Sequence, residues 1–284
     1  MPTITDQTEG GEIIDIYKIY HVKNVVSYSL CGNTYNRWNI ETATDSTEAS
    51  HMYFIIDTFY HEAFSHWVFE SGVYLDLFNR LRKLYPIKLV LKARRTYKSL
   101  FCELFNIHED DIVYDIQPGN ICIFPSPISA MNDLTISDQY TKQLIRLYDS
   151  FAPYRNGPKS IDILLLPRQV KENYKGNDRT YCVDRLLAYL SEYRGSYAVL
   201  HTDSITDIFD QISQVSRAKK LIVTDGSPFL VNAMFIENAR IYVLGVDSRW
   251  HQETQPKVAK IIELSKNTYA RYENEADLLK DIQQ

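Results

Sequence analysis

Between residues 161 and 245 the chain carries four short apolar runs, IDILLLP (161–167), SYAVLHT (196–202), KLIVT (220–224) and RIYVLG (240–245), with helical patterns between them. The runs are nearly continuous in aliphatic residues rather than alternating with polar ones. A strand of that kind is covered on both faces, which is the habit of a parallel sheet whose crossovers are helices. The intervening stretches 180–193 and 204–218 have helical period, and Ser204 is a plausible N-cap for the second. This part of the chain therefore predicts a Rossmann-like sheet. Ligands of such sheets bind beyond the carboxyl ends of the strands. The loops that matter then follow residues 167, 202, 224 and 245.

The first half of the chain also alternates strand and helix. Residues 12–31 read as one or two strands, 32–51 as a polar connection, and 52–58 as a buried strand. A long helix follows over 61–84, with Trp67, Tyr74, Phe78 and Leu81 forming one apolar stripe before Pro86. Strands at 87–93, 112–116 and 121–124 alternate with helices at 96–107 and 137–151, the last with Ser137 as N-cap. The turn-rich stretch 152–160 marks a boundary. Two α/β domains result, 1–155 and 156–284, in tandem with a cleft between them; 256–267 and 275–284 read as closing helices. A chain of 284 residues has room for both cores.

Composition narrows the function class. A net charge of −5 implies no general attraction to nucleic acid or anionic membranes. No run approaches the ~18 apolar residues of a membrane span. The start of the chain lacks the basic and apolar regions of a signal peptide. Cys31, Cys102, Cys122 and Cys182 are scattered without metal spacing, which suits a reducing compartment. The expectation is a cytoplasmic protein, although a soluble domain excised from a lumenal enzyme would read the same way. The 21 tyrosines suit core packing and sugar or base contacts alike.

The second-domain loops carry the chemistry. Arg168 leaves the first strand directly and Arg179 opens the next helix. Two guanidiniums near one strand end can clamp a diphosphate, because their forks match phosphate oxygens. Thr202 and Asp203 end the second strand. After the third comes Asp225-Gly226-Ser227-Pro228, where Gly permits close backbone approach and Pro suits a helix's first turn. Asn232 sits one turn further on. Neither GxGxxG nor GxxxxGK[ST] is present, so dinucleotide and P-loop readings fall.

In the first domain, His66 and Glu70 lie four residues apart on one helix face after a strand that ends near Asp57. A His beside a carboxylate suits proton transfer near neutral pH. HExxH is absent, since the second His comes one residue late. Glu109-Asp110-Asp111 reads as an acidic turn rather than a metal cluster.

Taken in order, three blocks resemble glycosyltransferase family 61, which includes capsular-polysaccharide, plant xylosyl- and arabinosyl-, and animal N-acetylglucosaminyltransferases. FSHWVFES (64–71) resembles the family's HW-x-x-E block through His66, Trp67 and Glu70. LLLPRQVKENYKGNDRTYCVDRLL (164–187) resembles its strand–Arg–loop–Arg–helix block through Arg168 and Arg179. In DIFDQISQVSRAKKLIVTDGSPFLVNAMFI (207–236), Gln211, Ala218, Gly226, Leu230, Asn232 and Phe235 fit a third. Asp225 stands where the family has His, and Ser227 where it has Ala. A carboxylate there would repel donor phosphates unless protonated or turned away; it could instead bind ribose or sugar hydroxyls.

The resemblance implies a GT-B fold, two Rossmann-like domains facing each other across a cleft, with acceptor on the first and nucleotide-sugar on the second. It implies inversion at the anomeric carbon and neither cofactor nor required metal. The donor would be a UDP-sugar, of xylose or N-acetylglucosamine type, and the acceptor a hydroxyl of a glycan or glycoprotein. His66 would be the base, with Glu70 orienting or replacing it and Asp57 as a further candidate. Arg168, Arg179 and the amides of Gly226 and Ser227 would hold the diphosphate. Thr202 and Asp203 would reach uridine or ribose, and Asn232 would face the donor or brace the loop. The alternatives are a sugar-nucleotide-binding protein without turnover and a nucleotide-sugar epimerase.

Overall fold

The computed structural model describes residues 17–25, 38–42, 52–56, 64–92, 94–114, 121–125, 136, 138–155, 157–167, 181–201, 207–245 and 248–283. The chain divides into two compact units. The first comprises Met1–Met131 and Ser137–Leu147, the second Asn132–Ile136 and Tyr148–Gln284. Both are α/β, and both contain parallel strands.

The first unit has strands β1 (Tyr17–Val25), β2 (Trp38–Thr42), β3 (Met52–Ile55), β4 (Ile87–Val90), β5 (Ile112–Val113) and β6 (Ile121–Pro125). They form one sheet in the order β2-β1-β6-β3-β4-β5. β6, β3, β4 and β5 are parallel, with Met52 opposite both Ile87 and Ile121. β1 is antiparallel to both β6 and β2. β2 corrects the expectation of a connection over 32–51. WNIET is an edge strand held to β1 by backbone pairing, which demands no apolar run.

From Phe64 to Leu81 the chain is helical, as expected, but its winding changes. α1 (Phe64–His66) passes into a π-helical segment (Trp67–Ser71), a 3-10 turn (Gly72–Tyr74) and then α2 (Leu75–Leu81). The stripe of Trp67, Tyr74, Phe78 and Leu81 is buried. Tyr97 and Phe101, on α3 (Thr96–Leu104), meet the Trp67 ring edge-on at 5.7 and 5.8 Å between centroids. α4 (Asp138–Ser150) returns to the π-helical segment, where Tyr140 Oη donates to the Phe69 carbonyl at 2.9 Å.

The second unit is a five-stranded, wholly parallel sheet: β7 (Ile161–Leu166), β8 (Tyr197–Val199), β9 (Ala218–Thr224), β10 (Arg240–Leu244) and β11 (Thr268–Tyr272). Its order is β11-β10-β9-β7-β8. The crossovers use α5 (Asp184–Glu192), α6 (Ile208–Ser216), α7 (Ser227–Ala233) and α8 (Ser248–Ser265), and α9 (Glu275–Ile282) closes the unit. On one face Ile163, Leu165, Ile222, Tyr242 and Leu244 meet Leu186 and Leu190 of α5 and Leu278 and Ile282 of α9. α6 is amphipathic, burying Ile208, Gln211, Ile212 and Val215 at helical spacing.

Two expectations change here. α6 is capped by Asp207, whose side chain accepts from Phe209 N, so the helix starts later than a Ser204 cap would place it. A fifth strand, β11, lies between the two closing helices. Among the described residues, no helix is long and apolar enough to cross a membrane.

Strand order locates the crevices. In the second unit the chain leaves β7 for β8 on one side and returns to β9 on the other, so the order reverses between β7 and β9. In the first, β4 and β5 lie on one side of β3 and β6 on the other. Each reversal parts the loops beyond the strands' carboxyl ends and leaves room for a ligand.

Candidate functional site

The β7–β9 reversal in the second unit is edged by Thr224-Asp225-Gly226, at the end of β9. Gly226 has φ 96° and ψ −144°, a conformation essentially restricted to glycine, and it turns the chain directly into α7. At this edge the first turns of α5, α6 and α9 each have an amide held by a side chain. Glu275 Oε1 accepts from Leu186 N of α5 at 3.0 Å. Asp207 caps α6, and Asn274 Oδ1 accepts from Asp277 N of α9 at 3.1 Å. α7 instead follows a glycine, which has no side chain to cap it.

Asp225 is fully buried. Its backbone N–H donates to Leu244 O at 2.9 Å, extending the β9–β10 ladder by one bond. Its Oδ1 accepts from Gly226 N at 2.8 Å and lies 2.5 Å from Arg271 Nη2. Arg271 is the next-to-last residue of β11, opposite Val243 of β10. Its side chain reaches past β10 to the end of β9 and is 12% exposed. Its guanidinium carbon is 5.9 Å from the Phe229 ring centroid in the first turn of α7. The carboxylate is thus turned inward and its charge is balanced. Breaking a buried pair by removing one member typically costs about 3–5 kcal/mol. Thr224 Oγ1, at the same strand end, is buried with no hydrogen-bond partner among the described residues.

Asn232 is a brace. Its Nδ2 donates to Pro228 O at 2.7 Å and its Oδ1 accepts from Gln211 Nε2 at 2.8 Å, so it ties α7 to α6. It is 1% exposed. Gly245, just past β10, has φ +111°, and a Cβ there would overlap the Tyr181 ring. Tyr181 therefore seats the chain that leads into α5 on the same sheet edge. Arg168, Arg179, Thr202, Asp203 and Asp57 lie outside the described residues. Pro167 and His201, the described residues next to Arg168 and Thr202, stand at the ends of β7 and β8.

In the first unit, α1 and the π-helical segment follow β3, the strand beside the order reversal. His66 Nδ1 and Glu70 Oε1 are 2.8 Å apart. A carboxylate only accepts, so Nδ1 donates and the basic lone pair is on Nε2. Glu70 is 3% exposed, and the His66 side chain 19%. The His thus opens outward while its partner is locked inside. π-helical turns occur mostly as single insertions and often at functional sites. Lys98 of α3 is buried, with its ammonium 5.8 Å from the Trp67 ring centroid.

The acidic run 109–111 is a 3-10 turn. Glu109 pairs with Arg94 at 2.6 Å, Asp111 pairs with Arg82, and His108 and Asp111 form a capping box. Among the described residues, no group of three His, Cys, Asp or Glu is arranged to hold a metal ion.

Arg271 is the residue that sequence reasoning missed. Its signal was weak: TYARY (268–272) follows a helix and precedes another, which continues the strand–helix alternation by one step. Compared with known proteins, the chain matches no protein-family model, and no curated protein is similar enough to match it.

Proposed function

We propose that this protein is an inverting glycosyltransferase that moves a sugar, of xylose or N-acetylglucosamine type, from a UDP-sugar to a hydroxyl of a glycan or glycoprotein. Its two units would form a GT-B pair facing each other across a cleft, with the acceptor on the first and the donor on the second. The observation that carries the reading is the glycine turn after β9, at the order reversal of a wholly parallel sheet. Backbone can approach a diphosphate closely there. The His66–Glu70 pair, on the helix after β3, supports it.

In this mechanism the acceptor oxygen attacks the anomeric carbon from the side opposite the diphosphate. The new C–O bond forms as the bond from carbon to phosphate oxygen breaks, and the configuration inverts. His66 Nε2 takes the acceptor proton while Glu70 steadies the imidazolium; Asp57 is a second candidate base. Arg168, Arg179 and the amide of Ser227 stabilise the departing UDP without a required metal; the Gly226 amide, expected to join them, is instead committed to Asp225 Oδ1. Thr202 and Asp203 reach the uridine or ribose. Asn232 holds α7 in place through Gln211.

A second reading, a sugar-nucleotide-binding protein without turnover, is favoured by one observation: the carboxylate of Asp225 is committed to an internal ion pair. Thermal-shift measurements against a panel of nucleotide-sugars test both, because a ligand that binds only folded protein raises its apparent stability. Stabilisation by a UDP-sugar, with UDP released when a glycoside acceptor is added, supports the transferase. Stabilisation without release supports the binding protein. A panel with no stabilising member overturns both.

A further inference from the structure

We propose that Arg271 is a donor-binding residue: Asp225 holds its guanidinium at the carboxyl edge of the second sheet, where it contacts the diphosphate of the nucleotide-sugar. This rests on the donor site proposed above and adds to it a residue from a strand that the motif blocks do not reach.

Placement is the first argument. The guanidinium is at the end of β9, beside the glycine turn that edges the β7–β9 crevice, although it originates two strands away on β11. Neighbouring strands are about 4.8 Å apart, so the side chain is extended across β10 to arrive there.

Rigidity is the second. The edge is tied together beyond the regular ladder: Asp225 N donates to Leu244 O at 2.9 Å, and Gly245 N donates to Tyr272 O at 2.7 Å. Asp225 Oδ1 and the Phe229 ring then fix where the guanidinium sits. A guanidinium can serve a carboxylate and a phosphate together, because its five N–H donors fan out in one plane. An arginine held in advance loses little freedom when an anion arrives.

Charge is the third argument. A lone carboxylate beside a diphosphate would oppose binding. Paired with Arg271 it contributes no net charge, and the guanidinium is aligned by it. Asp225 is therefore a positioning residue, which accounts for an acid at a strand end expected to meet phosphate. A purely structural ion pair would leave nucleotide affinity unchanged once both charges were removed.

The test is calorimetric titration of UDP and of uridine into wild type, Asp225→Asn, the double variant Asp225→Asn/Arg271→Met, and Arg271→Lys. Asp225→Asn keeps the Gly226 acceptor but loosens the hold on the guanidinium, so UDP affinity falls about threefold, less than in the double variant, while uridine binding is unchanged. The double variant removes both charges without stranding either, and it lowers UDP affinity about tenfold or more while uridine binding is unchanged. Arg271→Lys keeps a cation for Asp225 but loses the fork; it covers a folding defect in the double variant and weakens UDP binding about threefold or more. Wild-type UDP affinity in a folded double variant, or in Arg271→Lys, overturns the proposal. An equal loss of uridine and UDP binding also overturns it, because the effect would not lie at the phosphates. If wild type binds no UDP, the donor reading itself falls and takes this inference with it.

Discussion

His66 shows how much depends on the partner of a single side chain. An exposed imidazole without a partner points in many directions and exchanges between tautomers. Here Glu70, one turn on and buried, accepts a hydrogen bond from Nδ1 at 2.8 Å and fixes both tautomer and ring orientation. If Nε2 is the base, His66→Ala lowers kcat by about 10²–10⁴-fold, the usual contribution of general base catalysis. Donor affinity stays near wild type, because the substitution is in the unit proposed to hold the acceptor. Glu70→Gln, which still occupies the space, lowers kcat by a smaller factor. Steady-state transfer rates together with UDP titration separate the two effects. Near-normal turnover in His66→Ala would sink the base assignment.

Elements were legible where burial dictates pattern and obscure where it does not. The central strands β7, β9 and β10 are covered on both faces, and their aliphatic runs announced them. The edge strands β2 and β11 pair on one side only, and WNIET and TYARY carry no such run. Helical period found the stripe from Trp67 to Leu81, yet it could not show the π-helical segment, because a change of winding leaves the buried residues buried. The candidate site divided in the same way. His66, Glu70 and Gly226 stood out as motifs, whereas the contact of Asp225 with Arg271 joins positions far apart in sequence and needed the sheet order to appear. At the opposite edge of that sheet, Asp162 links three strands by accepting from Lys219 Nζ at 2.7 Å and from Ser196 N at 2.9 Å. The Lys219 bond, followed by the Ser196 bonds, holds its carboxyl at about 2 against an ordinary 3.8. A carboxyl with a lowered folded-state value favours folding above its ordinary range, and that advantage is lost as it protonates in the fold. Wild type is therefore more stable than Asp162→Asn at neutral pH. The difference holds down to about pH 4 and disappears towards about pH 2. Denaturant unfolding of both proteins across that range measures it, and a difference independent of pH would count against the assignment.

At the scale of the whole molecule, two sheets each reverse strand order beside a segment that carries candidate chemistry: β3 leads to His66 and Glu70, and β9 leads to Asp225 and Gly226. The proposed function assigns them different substrates, and hydrogen exchange can tell these apart because it reads each segment separately. UDP that contacts the end of β9 must be released before the turn there opens. At a UDP concentration of 100 Kd, exchange that requires that opening slows by up to about a hundredfold. The expected pattern is slowing at amides of 225–231 on addition of UDP alone, with amides of 64–71 unaffected until an acceptor glycan is added. Slowing at 64–71 with UDP alone, and none at 225–231, would exchange the roles of the two units. Slowing at both with UDP alone would mean that one ligand loads both segments, and the separation of donor from acceptor would have to be abandoned.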